Sequence, residues 1–165
     1  MDYWYHGAPA NECGINAPGD PVTDFNNSTE ADIQPARGWN GTYNEELFTQ
    51  EALRLIGSHT DGTPFYIYLA YHNVHAAVNL PSGTLQAPLE TVKLYNRTQL
   101  DTYKVAGAML TKLDDGVGAV QAALEARASP YILAFCSDNG GPLDHATNAP
   151  LKGGKHTLWG KTTKT

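Results

Sequence analysis

Cysteine is nearly absent: of 165 residues, only Cys13 and Cys136 carry thiols. Two are too few for a disulfide framework, which excludes a small fold held by bridges. Basic residues are scarce as well, with 11 Lys and Arg against 17 Asp and Glu, a formal net charge of −6. A nucleic-acid-binding surface needs clustered Lys and Arg, and this balance argues against one. Long apolar runs are missing. The longest, around 65–71 and 131–136, fall far short of the roughly 20 residues that span a bilayer. The opening Met-Asp-Tyr-Trp-Tyr-His has no basic segment leading into an apolar run, so no signal peptide is read there. Internal repeats, low-complexity tracts and a G-x-S-x-G nucleophile elbow are also lacking.

What is present suits an ordinary globular chain of one domain's length, with 41% hydrophobic residues, 16 Gly and 10 Pro. Cys136 sits in an apolar run, where a free thiol behaves as a small buried hydrophobe. Cys13 lies in a Gly/Pro/Asn-rich loop, and pairing with Cys136 or with a partner outside the chain both stay open. Sequons occur at Asn26, Asn27, Asn40 and Asn96 and favour a secretory or lysosomal route modestly.

Residues 1–42 are rich in Pro, Gly, Asn, Asp and Thr without periodicity, and predict an irregular, loop-rich segment with at most a short hairpin. Thr42 or Asn44 is placed to cap a helix running to about Ser58, with Leu47, Phe48, Ala52, Leu55 and Ile56 on its apolar face and Gly57 near its stop. Residues 64–71 are β-branched and aromatic and predict a buried strand, which leads into a His72-Asn73-Val74-His75 loop. Leu100, Tyr103, Ala106, Leu110, Leu113, Val117, Val120 and Leu124 recur at three- and four-residue spacing, which predicts a long amphipathic helix over roughly 98–127. Ser129-Pro130 ends it. Gly107, Gly116 and Gly118 weaken its propensity and would allow close packing on a sheet, while Asp114 and Asp115 fall on the polar face. Residues 131–136 predict a second buried strand. Strand, helix and strand form a βαβ unit, which implies an α/β fold with a parallel sheet and a right-handed crossover.

In such a sheet, sites form where strands end at their carboxyl edges. Polar residues follow both strands: His72, Asn73 and His75 after the first, Asp138 and Asn139 after the second. Asp138 offers a carboxylate and Asn139 a carbonyl oxygen, with Gly140-Gly141 letting the chain turn. Hard oxygen ligands suit Ca²⁺ or Mg²⁺ rather than zinc. On residue types alone, an Asx-turn closing the strand competes with that reading. A loop histidine such as His75 is a surface residue or a proton donor near neutral pH. Lys152 and Lys155 flank a Gly-Gly turn, which reads either as solvated or as a cradle for a tetrahedral oxyanion.

The ordered set P-F-Y-I-Y-L-A-Y-H-N-V-H, A-G-A-M-L-T-K-L-D-D-G-V-G, S-D-N-G-G and P-L-K-G-G-K-H-T-L-W resembles the sulfatase family, most closely its arylsulfatase B-like branch, over roughly residues 43–160. The resemblance implies an alkaline-phosphatase-like α/β/α sandwich, incomplete here, and hydrolysis of sulfate esters with one divalent cation, usually calcium. It implies that Asp138 and Asn139 are two oxygen ligands of that cation. His75 matches the histidine that contacts the sulfate ester and serves as candidate proton donor to the leaving alcohol. Lys155 matches the lysine that holds the sulfate oxygens. His72, Lys152 and His156 match no catalytic position. The implied partner is a small sulfate ester or a sulfated sugar, with no nucleic acid and no membrane span, in a parent of the secretory pathway, lysosome or extracellular space.

The family nucleophile is a formylglycine made within a C/S-x-P-x-R motif, and this chain has no such motif. The first pair of aspartate ligands, and the Lys and His that follow the nucleophile, would lie upstream of residue 1. The expectation is therefore an internal piece of a sulfatase catalytic domain that binds calcium weakly and is inactive alone. Competing readings are a non-catalytic half-domain that binds sulfated ligands or regulates a partner, a phosphatase or phosphodiesterase of the same superfamily, and a chain that does not fold stably by itself.

Overall fold

A computed structural model describes residues 26–28, 33–35, 42–76, 85–97, 100–143, 146–155 and 157. The chain divides into two compact units, residues 1–128 and 129–165. Cys13, the Asn40 sequon, His156 and Trp159 lie outside the described residues.

The first unit contains a short antiparallel hairpin of β1 (Asn26–Ser28) and β2 (Ile33–Pro35), with Asn27 opposite Gln34. Three helices follow: α1 (Asn44–Ser58), the single-turn α2 (Leu89–Val92), continued by a 3₁₀ turn at Lys93–Tyr95, and α3 (Asp101–Ala126). Both long helices lie where the apolar spacing put them.

Their ends differ from expectation. Tyr43 is the residue before the first turn of α1, and no side chain caps it. Tyr43 O instead accepts from the amides of Glu46 and Leu47, while Glu45 and Glu46 place negative charge at the positive end of the helix. Asn44 is already the first helical residue, one position past the cap, and its Nδ2 bonds to His72. At the other end, Arg127 closes α1 from a distance, its Nη1 donating to Ile56 O (2.6 Å) and His59 O (3.1 Å). Those carbonyls have no partner inside their own helix. Helix α3 stops at Ala126, before Ser129-Pro130, through Ala128 in the left-handed region at φ 53°.

Helices α1 and α3 pack on each other through Ala52, Ile56 and Val120, with Leu53, Ile67, Leu69, Ala123 and Leu124 around them. A second cluster joins Tyr43 and Met109 to Leu85, Ala87 and Val105. Two glycines of α3 make seats for side chains. Gly107 receives the Tyr95 ring, and Gly116 leaves room for Thr49 and the Tyr71 hydroxyl.

The two buried strands are not observed. Among the described residues the only ladder is the β1–β2 hairpin, and neither 64–71 nor 131–136 belongs to a sheet. A strand exists only with a neighbour that takes its N–H and C=O groups, and among the described residues neither segment is paired into a sheet. Residues 65–71 still show period-two burial. Ile67, Leu69 and Tyr71 are half-buried, while Tyr66 and Tyr68 are exposed. In the second unit Ile132 is 96% exposed and Phe135 is exposed. Cys136 is a free, exposed thiol rather than a buried one.

Candidate functional site

In the first unit the candidate residues sit on the loop that leaves the half-buried 65–71 segment. Three consecutive residues at the start of α1 grip this loop. Glu45 Oε1 accepts from the amides of His72 (3.0 Å) and Asn73 (2.9 Å). Asn44 Nδ2 donates to His72 Nδ1 at 2.7 Å, which makes that ring nitrogen the acceptor. The Tyr43 hydroxyl lies 2.9 Å from Asn73 Oδ1 and 3.0 Å from Gln86 O, so its one proton serves either acceptor. Asn73 Nδ2 donates to Met109 O of α3 (2.7 Å), and Phe48 meets the His72 ring edge-on at 5.3 Å. His75 closes the turn, its amide donating to His72 O at 2.8 Å. The His75 ring is exposed, with Nδ1 2.8 Å from Ala76 O.

Glu45 was not singled out in the sequence, because acidic residues in a first helical turn are common. It is 1% exposed, and burial pushes its carboxyl up to about 7 against the pull of the Asn73 and His72 amides. Its second oxygen is buried and unpartnered among the described residues. Glu45 also lines a shallow cleft of about 190 Å³ with Glu46, Thr49, Gln50, Lys112, Asp115 and Gly116. Lys112 pairs with Glu46 across it at 2.7 Å. Thr49 Oγ1 donates to Glu45 O, which leaves the Tyr71 hydroxyl as the donor in its 2.7 Å bond with Thr49. Burial and the nearby Glu45 carboxylate raise the Tyr71 phenol.

Asp138, Asn139 and Lys155 lie in the second unit. Asp138 is exposed, and Asn139 and Lys155 are half-buried. The Ser137 hydroxyl donates to Asn139 O at 2.7 Å and holds the turn. The loop of Asp138 and Asn139 is joined to the Lys155 turn through backbone groups of Gly141. Gly141 O accepts from the Lys155 amide (3.0 Å) and from Asn148 Nδ2 (3.1 Å), while Gly141 N donates to Asn148 Oδ1 (3.0 Å). Asn148 Nδ2 also donates to Gly153 O at 2.8 Å. Gly154 is buried in this junction, where a Cβ would meet Gly141 O at 2.5 Å. Asn148 carried no periodic or motif signal, and only its three-way bonding marks it. Lys152 lies exposed on the same turn.

Asp138 and Asn139 supply hard oxygen donors, the right kind for calcium, but only two of the about six to eight that calcium takes. No three His, Cys, Asp or Glu side chains gather into a metal-holding group among the described residues. The pair fits as part of a ligand shell. No helix among the described residues is long and apolar enough to cross a membrane.

A family model described as Sulfatase matches residues 5–165. Arylsulfatase J of Mus musculus is 31% identical over 124 residues, which covers 73% of this chain and 19% of that protein. The chain thus spans about a fifth of that relative's length. A crystal structure of Ps i-CgsB matches with a TM-score of 0.64 at 27% identity, covering 75% of this chain and 27% of the other. Ps i-CgsB in complex with k-i-k-neocarrahexaose matches with a TM-score of 0.62 at 29% identity over the same shares. These neighbours support an alkaline-phosphatase-like α/β fold.

Proposed function

The chain belongs to the sulfatase family, and from that membership we propose that it carries part of a sulfuric ester hydrolase site of the arylsulfatase B-like branch. The observation that carries the reading is the Gly141 junction, which ties the loop of two oxygen donors to the turn of a lysine. A sulfate ester needs positive charge close to its oxygens, and Lys155 supplies it on a turn anchored to the Asp138–Asn139 loop. Asp138 and Asn139 would hold part of the shell of a divalent cation, calcium in our reading, which polarises the sulfuryl oxygens when bound. His75 contacts the ester and gives a proton to the leaving alcohol, a role its exposed ring leaves room for.

The substrate class we propose is a small sulfate ester or a sulfated sugar, and the neocarrahexaose complex of Ps i-CgsB supports a sugar. A parent in the secretory pathway, lysosome or extracellular space agrees with Asn96, an exposed sequon position. These 165 residues hold no C/S-x-P-x-R motif, the source of the family's formylglycine nucleophile. We therefore propose that the chain as given binds rather than turns over. The test is p-nitrophenyl sulfate hydrolysis with calcium present: no product is expected, and clear turnover overturns the assignment. The missing motif also favours a second reading, a non-catalytic half-domain for sulfated ligands. Calorimetric titration with a sulfated oligosaccharide and calcium tests it, and heat from neither counts against it.

A further inference from the structure

One short stretch of sequence supplies four hydrogen bonds to the His72–His75 loop. Tyr43, Asn44 and Glu45 contact Asn73, His72 and both of their amides, while Asn73 Nδ2 reaches a backbone carbonyl of α3. Of the three gripping residues only Glu45 is ionisable near neutrality. It is also the one that takes two backbone amides on a single oxygen. A carboxylate accepts such bonds more strongly than the neutral acid, because charge-assisted bonds are roughly twice as strong as neutral ones.

We propose that Glu45 is a positioning residue for His75, an ionisable latch that sets the turn carrying that histidine by accepting the His72 and Asn73 amides. The proposal rests on the sulfatase reading only in giving His75 a chemical role. The latch itself rests on the hydrogen bonds. Its second oxygen is buried without a partner among the described residues, so its charge is compensated by the Asn73 and His72 amides together with its own backbone amide. Charged and titratable groups near it are Glu46 on its own helix, Lys112 and Asp115 on α3 at the shared cleft, and Tyr71 and His72 on the segment it grips. Lys112 is already paired with Glu46. Glu45 lies on the inner side of that cleft, where burial holds its carboxyl near neutrality. The latch therefore changes strength within the range where a histidine also exchanges its proton.

The test is a pH titration of the full 165-residue chain by NMR, following the Glu45 carboxyl carbon, the His72 and His75 ring carbons, and the amides of His72, Asn73 and His75. The latch predicts that the His72 and Asn73 amides shift in step with the Glu45 carboxyl carbon. In Glu45→Gln, which keeps an oxygen acceptor, both amides should become flat with pH and the His75 amide should stay protected. In Glu45→Ala the His75 amide should exchange about tenfold faster, the loss expected for one part-buried hydrogen bond, with Ile56 in α1 unchanged. Amides that do not move in the unsubstituted chain overturn the proposal. So do amides that titrate equally in Glu45→Gln, since the His72 ring would then be the cause. Adding inorganic sulfate separates the two readings. If the His75 ring ignores sulfate while the amides follow Glu45, the sulfate role fails and the latch stands.

Discussion

The Asn148 side chain grips Gly141 on both its polar backbone groups, accepting from its amide at 3.0 Å and donating to its carbonyl at 3.1 Å. A side-chain amide can do this because it carries an acceptor and two donors in one plane, and the remaining donor reaches Gly153 O. One residue thus sets the spacing between the Asp138–Asn139 loop and the Lys155 turn. Replacing Asn148 with Ala should accelerate hydrogen exchange at the Lys155 amide by tenfold or more, from three lost bonds of about 1 kcal/mol each. Asn148→Asp should do no better, because it sets a carboxylate oxygen against Gly141 O and Gly153 O. An unchanged Lys155 amide in both variants would refute the role.

Two glycines of α3 that are only two residues apart in sequence fall on different sides of the helix and should respond with opposite signs. At Gly116 a Cβ would lie 2.7 Å from Thr49 Oγ1 and 2.8 Å from the Tyr71 hydroxyl, while at Gly118 it would meet nothing within 4 Å. Gly116→Ala should lower stability by about 1–3 kcal/mol through overpacking. Gly118→Ala should raise it by up to about 1 kcal/mol through helix propensity alone. Urea unfolding of the two variants gives the comparison.

Acidity should stabilise the first unit through Glu45. Burial raises its carboxyl from an ordinary 4.5 to about 7, so the folded state holds the proton that the unfolded chain releases. The resulting stability is fully present below about pH 4.5, shrinks as pH rises, and is gone above about 7. Its size is on the order of 3 kcal/mol. Glu45→Gln should flatten the stability profile across this window and exceed the unsubstituted chain at pH 8. Parallel profiles for the two proteins would count against it.

Arg127 and Asp61 form an ion pair of 2.6 Å whose partners are unequally buried, at 14% and 85% side-chain exposure. Truncating Arg127 to Ala strips Ile56 O and His59 O of their donor and should cost about 2 kcal/mol, as expected for bonds from a charged group. Asp61→Asn removes only the solvated partner and should cost less than about 1 kcal/mol. Thermal unfolding of both variants distinguishes capping from ion pairing as the source.

Both long helices were legible because an apolar stripe at three- and four-residue spacing is a local property; packing α1 on α3 through Ala52, Ile56 and Val120 buries part of that stripe, while Leu55, Leu100, Tyr103 and Leu110 stay exposed. The 64–71 and 131–136 segments were legible as apolar and strand-like, but not in how far each is covered, because that depends on neighbours that no local pattern specifies. Asp138, Asn139, His75 and Lys155 stood out as residue types following apolar runs. Glu45 and Asn148 did not, since a first-turn glutamate and a loop asparagine are ordinary until their partners are known.

By itself, the sequence determined the helices, the family motifs in their order, and the absence of a C/S-x-P-x-R nucleophile within these residues. These follow from spacing along the chain. The tertiary structure alone decided that Glu45 takes the His72 and Asn73 amides and that Asn148 closes on Gly141. Such bonds join groups that meet only when the chain turns back on itself, and burial, not residue type, sets the protonation of the carboxyl that makes one of them.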